Sequence, residues 1–242
     1  MFSTLWHTVF FDPIYNSLVY LIDIVPHGDL GIAVVLLVIF VKVLLFPLSV
    51  KAAKTQKLMK DLDPKLKAIK ETIKDPQEQA QATMNLYKES GVNPFSSILV
   101  ALLQIPVLIT LYFVVARGGG VTFPAINTAA LYSFVHAPAQ VSVEFLGLID
   151  ITKKSLILAI LATIGQFIQG YFVFPKPPAR DPKAEPSLKD DLAHSMHLQM
   201  RYMMPVMMGV LAYSFSAIVG LYFIVSSIAA VIQELLIRKH KV

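Results

Sequence analysis

The sequence predicts an all-α membrane protein with five transmembrane helices, N-terminus outside and C-terminus inside. A cytoplasmic helical hairpin and an N-terminal interfacial helix complete it. Three observations predict this class. Only 15% of the residues are charged and 55% are hydrophobic, whereas a soluble domain carries about a quarter charged residues. Several apolar runs are about 20 residues long, enough to cross a hydrocarbon core of about 30 Å. The positive charge is also lopsided along the chain: residues 1–41 contain no Lys or Arg, while nine of the 21 fall in 51–95.

Residues 1–29 form the extracytoplasmic segment. Asp12-Pro13 followed by Ile14 to Val25 reads as a short helix on the outer surface, too short to span, with Trp6, Phe10 and Phe11 as aromatic anchors. No basic stretch precedes it, so it does not read as a signal peptide. The first span is 30–50, broken only by Lys42. Residues 51–95 form the cytoplasmic hairpin. Pro64 suits the first turn of one helix, Asp75-Pro76 starts another that runs to about Glu89, and Gly91 and Asn93-Pro94 end it.

The second span, 96–116, carries no charge, and 117–154 is an extracytoplasmic loop. The third span is 155–174. A proline-rich cytoplasmic loop follows at 175–200, with five prolines between Pro175 and Pro186 that give it a flexible composition. From Tyr202 to Gln233 runs an uncharged stretch of 32 residues. One straight helix of that length would measure about 48 Å, well beyond the core. Two spans, 201–216 and 217–237, fit better, with a turn near Phe215-Ser216-Ala217 and a basic tail at 238–242. This count places 17 of the 21 Lys and Arg on one side, which the positive-inside rule assigns to the cytoplasm.

Lys42 is the residue out of place. It precedes Lys51 by nine positions, about 13 Å of helix. An ammonium inside a span costs about 2.5–3.5 kcal/mol or more, and Glu234, at the inner end of the fifth span, is the one acid within any predicted span. Snorkelling toward the headgroups is the plain reading, but the side chain covers only about half the distance. A water-filled pocket open to the cytoplasm accommodates the charge at lower cost. Gln166 and Gln169 stand three apart on the third span, hence on neighbouring faces. Such glutamines can join helices or line the same pocket. Thr163 lies one turn before them, and Ser214, Ser216, Ser226 and Ser227 add polarity to the last two spans. A positive, hydrated pocket shortens the apolar barrier for a polar segment and attracts acidic residues. Burial of a client's own apolar span would then drive its insertion.

Other classes fit less well. A transporter or channel would explain the intramembrane polar groups, yet internal repeats and acids for proton coupling are missing. There is no phosphate-binding loop of the G-x-x-x-x-G-K-[ST] type and no cysteine. His194 and His197, with Asp190 and Asp191 nearby, have metal-ligand spacing without a third-ligand constellation, so a solvated face is the default there. Ser195 beside them makes no triad. No enzyme, metal or cofactor is expected. Met196, Met200, Met203, Met204, Met207 and Met208 serve either adaptable packing or a soft apolar surface.

Several stretches, taken in order, resemble the YidC/Oxa1/Alb3 family of membrane protein insertases. They are Val41–Leu48 leading into a lysine-rich helix, Leu86–Pro94, Leu102–Val107, Phe145-Leu146-Gly147, Met203-Met204-Pro205 and Leu221–Ser226. The resemblance runs from about Phe11 to Ile237. It implies five helices around a hydrophilic groove, closed outside and open to cytoplasm and lipid, in a bacterial inner membrane. Lys42 stands where the family usually has arginine, Gln169 where its groove glutamine sits, and Phe223 where an aromatic residue is usual. Gln166 is an addition to the family's pattern, and the residues themselves place it, with Thr163 and Ser226, in the expected groove. The hairpin residues Pro64, Lys65, Lys67, Lys70, Tyr87 and Lys88 are expected to receive clients. The implied partners are nascent membrane proteins and the bilayer, with the Sec translocon and ribosome as further candidates and no specific DNA.

Overall fold

A computed structural model describes residues 2–93, 95–117, 121–173, 195 and 198–239. The chain is mostly helical and forms two compact units, one of Met1–Lys42 with Val107–His240, the other of Val43–Pro106.

The first unit begins with α1 (Phe2–Trp6), a π turn (His7–Phe11) and α2 (Asp12–Ile24). Helix thus starts well before the expected Ile14. Nothing between Phe2 and Asp12 breaks it, and Pro13 is accommodated rather than terminating. Proline lacks the N–H that would bond the carbonyl four residues back. The chain widens by one residue just before it, with the Asp12 N–H donating to the His7 carbonyl in a π-type bond. Tyr15, Leu18, Val19 and Ile22 of α2 are fully buried, so this helix forms part of the core.

Helix α3 (Leu30–Asp61) runs 32 residues without interruption. Its row Leu30, Val34, Val38 is buried at 0%, 0% and 2% exposure, while Phe40, Val43 and Leu44 are exposed. A buried Asp29 caps it, one carboxylate oxygen accepting from the Ile32 N–H at 3.0 Å. The other oxygen accepts from the Leu146 N–H at 2.7 Å, fastening the loop of residues 121–154 to the start of α3. That loop also holds a short antiparallel hairpin, β1 (Glu144–Phe145) and β2 (Ile149–Asp150), a small departure from the expected all-α class. Asn16 and Tyr15 bind the loop from α2. The Asn16 oxygen accepts from the Tyr132 N–H at 2.6 Å, its amide donates to the Ala130 carbonyl, and the Tyr15 hydroxyl accepts from the Asn127 N–H.

Helices α6 (Phe95–Arg117), α7 (Leu156–Val173), α8 (Met204–Ser214) and α9 (Ala217–Lys239) follow. The α9 N-terminus needs acceptors for its first amides. Ala217 donates to the Lys153 carbonyl and Ile218 to the Ile151 carbonyl, both in the turn that leads into α7. Asp150 firms that turn. Burial pushes its carboxyl up, but hydrogen bonds from Thr152 and Lys153 outweigh this and hold it below the ordinary carboxylate range. Small residues then let α7 and α9 approach closely. A Cβ on Gly220 would meet Leu158 at 3.1 Å, and one on Gly165 would meet the Ser227 Cβ at 3.3 Å. Both pairs advance by seven residues in the same sense, so α7 and α9 run parallel. Gly209 of α8 faces the Thr163 hydroxyl with no room for a side chain. The outer face of α7, with Ile157, Ile160, Leu161, Ile164 and Ile168, is exposed. Such a face suits lipid rather than water.

Among the described residues three helices are long and apolar enough to cross a membrane: Leu30–Met59, Leu156–Val173 and Ala217–Ile237. The apolar stretch Leu102–Ala116 is shorter.

The second unit contains the end of α3, then α4 (Asp63–Thr72), α5 (Pro76–Glu89) and the start of α6. The Asp75 side chain accepts from the Gln77 N–H and caps α5. Gly91, at φ +63°, closes α5 in a Schellman arrangement, with the Val92 N–H donating to the Tyr87 carbonyl and the Gly91 N–H to that of Lys88. Val92 is buried, as the residue after such a cap usually is.

Candidate functional site

Lys42 extends the inward row of α3. Four residues on from Val38, it continues the line Leu30, Val34, Val38 and therefore faces the interior of its unit rather than the exposed side of the helix. The side chain is half-buried. At ~1.5 Å per residue it lies about 18 Å along α3 from Leu30.

Polar groups recur at corresponding positions along α7 and α9. Gln166 and Gln169 are about 15 and 20 Å along α7, and Ser226 and Ser227 about 14–15 Å along α9. As both helices start from the same turn, these positions are level with one another. The Gln169 carbonyl oxygen and the Ser226 and Ser227 hydroxyls are buried without a protein partner, as is the Thr110 hydroxyl of α6. Leaving a buried polar atom without a hydrogen bond costs about 1–3 kcal/mol, and water is the usual partner of such atoms. Phe223, buried at 8% exposure, meets Tyr222 edge-on at 5.7 Å.

Thr163 is placed differently from these. Its hydroxyl donates to the Ala159 carbonyl at 2.9 Å and packs against Gly209. That group is satisfied within α7 and serves the α7–α8 contact. Thr110 had no sequence signal, since one threonine in an apolar span is ordinary. Asp29 had one, an acid just before an apolar run, which is an N-cap pattern.

The hairpin residues fall in the other unit. Pro64 occupies the first turn of α4, and Lys65 and Lys67 are exposed along it. Tyr87 is half-buried and Lys88 exposed at the end of α5, where their carbonyls accept the closing bonds. The Lys70 side chain lies outside the described residues, as do the proline-rich loop, His194, His197, Asp190, Asp191 and the end of the basic tail.

The methionine-rich approach to α8 is described from Leu198 on. Gln199, Met200, Met203, Met204 and Met207 line an open crevice of about 190 Å³, and the Gln199 amide donates to the Met203 sulfur at 3.8 Å. Residues Gln199–Met203 form a second π turn. Pro205 follows it by two residues, just as Pro13 follows the first, and the Met204 N–H donates to the Gln199 carbonyl. In both, the wider turn ends just before a residue that cannot donate, whereas α3 and α6 contain Pro47 and Pro106 without one.

The chain is similar to known proteins over most of its length. Residues 22–242 match a family model described as 60Kd inner membrane protein. A protein of Oceanobacillus iheyensis, named membrane protein insertase YidC, is 30% identical over 241 residues, covering 97% of this chain and 84% of that one. One of the same name from Clostridium tetani is 27% identical over 215 residues, 88% of this chain and 84% of its own. A third, from Paraburkholderia phymatum, is 30% identical over 213 residues, but the match spans only 33% of that longer protein.

Proposed function

The chain belongs to the 60 kDa inner membrane protein family, which includes the YidC insertases, and from that membership we propose that it inserts integral membrane proteins into the bacterial inner membrane. The observation that carries the mechanism is the place of Lys42 on the inward row of α3. On this reading its charge faces the same region as the unpartnered polar groups of α7 and α9.

On this reading the chain crosses the membrane five times, N-terminus outside. The shared turn at the starts of α7 and α9 supports it. Two parallel helices that start beside the same turn need a return crossing between them, and α8 with its π turn supplies one. The lysines of 51–95 support a cytoplasmic hairpin. The clients are nascent membrane proteins, which the basic hairpin receives. A client's polar segment then enters the wet pocket, where the Lys42 ammonium attracts its acidic residues. Partition of the client's apolar span into lipid supplies about 25 cal/mol for each Å² of apolar surface removed from water. No nucleotide hydrolysis and no catalytic residue are needed. The Sec translocon and the ribosome are proposed as accessory partners.

The test is insertion of a small single-span client into liposomes with and without the purified chain, scored by protease protection. Solute leakage is followed in the same vesicles. Protection well above empty liposomes, without leakage, is expected. Leakage without protection would favour a channel instead.

A further inference from the structure

The C-terminal end of α7 and the π turn before α8 carry a second crevice, of about 370 Å³, lined by Phe167, Ile168, Tyr171, Phe172, Arg201 and Tyr202. All six residues belong to the first unit. The Arg201 guanidinium lies over the Tyr171 ring, 5.0 Å from its centroid. Among the described residues no ion pair to it is seen. Phe167 and Tyr202 close the other wall with ring centroids 6.5 Å apart.

The backbone explains how Arg201 comes to lie there. It stands four residues before Pro205, so its carbonyl is the one deprived of a helical partner. The π turn at 199–203 takes up the slack. Wide turns of this kind often mark functional positions. The crevice therefore combines one half-buried cation, set over an aromatic ring, with tyrosines at the helix end and apolar walls extending along α7.

We propose that this crevice binds one anionic phospholipid, its phosphate on Arg201 and an acyl chain along Phe167 and Ile168. The guanidinium fork suits two phosphate oxygens, and its stacking on Tyr171 leaves the N–H edge free to donate to them. Tyr171, Phe172 and Tyr202 match the aromatic belt found where headgroups meet hydrocarbon. Basic pockets between helices at this depth recognise acidic headgroups. A free phosphate could use the cation but not the apolar walls, so the lipid is the better occupant. Which leaflet supplies it rests on the orientation proposed above, and the orientation places it in the cytoplasmic one.

The experiment is native mass spectrometry of the full chain in mild detergent with equal phosphatidylglycerol and phosphatidylcholine. The chain is expected to retain phosphatidylglycerol over phosphatidylcholine by about tenfold, the worth of one charge-assisted contact. Arg201→Gln should abolish the preference, Arg201→Lys should keep most of it, and Tyr171→Leu should weaken it. A preference unchanged in Arg201→Gln would overturn the proposal, as would equal retention of both lipids by the natural chain. Displacement of the lipid by millimolar inorganic phosphate, or by an acidic client peptide, would assign the cation to another ligand. Lipid retention is read without any insertion step, so its failure and failure of the insertase reading are separate results.

Discussion

Replacing Lys42 with alanine is expected to slow insertion of a client with an acidic translocated tail by about tenfold or more. Lys42→Arg should stay within about twofold of the natural chain. A carboxylate about 6 Å from an ammonium gains roughly 3 kcal/mol at an effective dielectric of about 20, and 1.4 kcal/mol is a factor of ten. Groove water screens part of that attraction, so tenfold is the conservative figure. The position supports a role beyond snorkelling, because Lys42 continues the row of Leu30, Val34 and Val38, buried at 0%, 0% and 2% exposure, rather than the exposed face of Phe40 and Leu44. A client with a neutral tail serves as the control and should lose little. Equal rates for Lys42→Ala and the natural chain with the acidic client would reduce Lys42 to a packing residue. Initial rates of protease-protected product in proteoliposomes decide the matter.

Gly28→Ala is expected to destabilise the outer part of the protein by roughly 2–4 kcal/mol, the range for strained backbone combined with a clash. Gly28 has φ +61°, and an added Cβ would collide with the Gln140 carbonyl. That carbonyl belongs to backbone that cannot swing aside. The Ser142 N–H donates to the Gly28 carbonyl at 2.9 Å, and the Leu30 N–H to that of Ser142 at 2.9 Å. Gly91→Ala makes the natural comparison. Its φ of +63° is as unfavourable, yet nothing lies within 4 Å of an added Cβ, so it should cost only about 1 kcal/mol. Thermal unfolding of both variants in one detergent tests the difference. Equal midpoints would show that the Gln140 contact carries no strain.

Much of this architecture can be read from local pattern, and the parts that cannot have a common cause. The hairpin is legible because Pro64, Asp75-Pro76 and Gly91 each act on their own neighbours, and helices α4 and α5 occupy 63–72 and 76–89. The apolar runs are legible by length, though the α8 region is not: its helix is only Met204–Ser214, preceded by a π turn. Neither π turn was foreseen, because no local pattern separates Pro13 and Pro205, which follow such turns, from Pro47 and Pro106, which α3 and α6 contain without one. The outer loop was opaque for another reason. Its order comes from Asp29, Asn16 and Tyr15 reaching more than 100 residues along the chain to Leu146, Tyr132 and Asn127, and no sequence period encodes such contacts. Within the site, Lys42 announces itself by charge in an apolar run. Thr163 shows the limit of spacing arguments, since its place one turn from Gln166 says nothing of Gly209 on another helix.

The claim at the centre of this account is that the pocket beside Lys42 is wet and open to the cytoplasm. The chain contains no cysteine, so a single Gln169→Cys thiol can be probed with a membrane-impermeant maleimide, with the lipid-facing Ile160→Cys as control. Thiolate forms readily only in contact with water. The account predicts rapid labelling of position 169 in inside-out vesicles, little in right-side-out vesicles, and little at position 160 in either. Failure to label position 169 from the cytoplasmic side, or equal labelling from both sides, would contradict it.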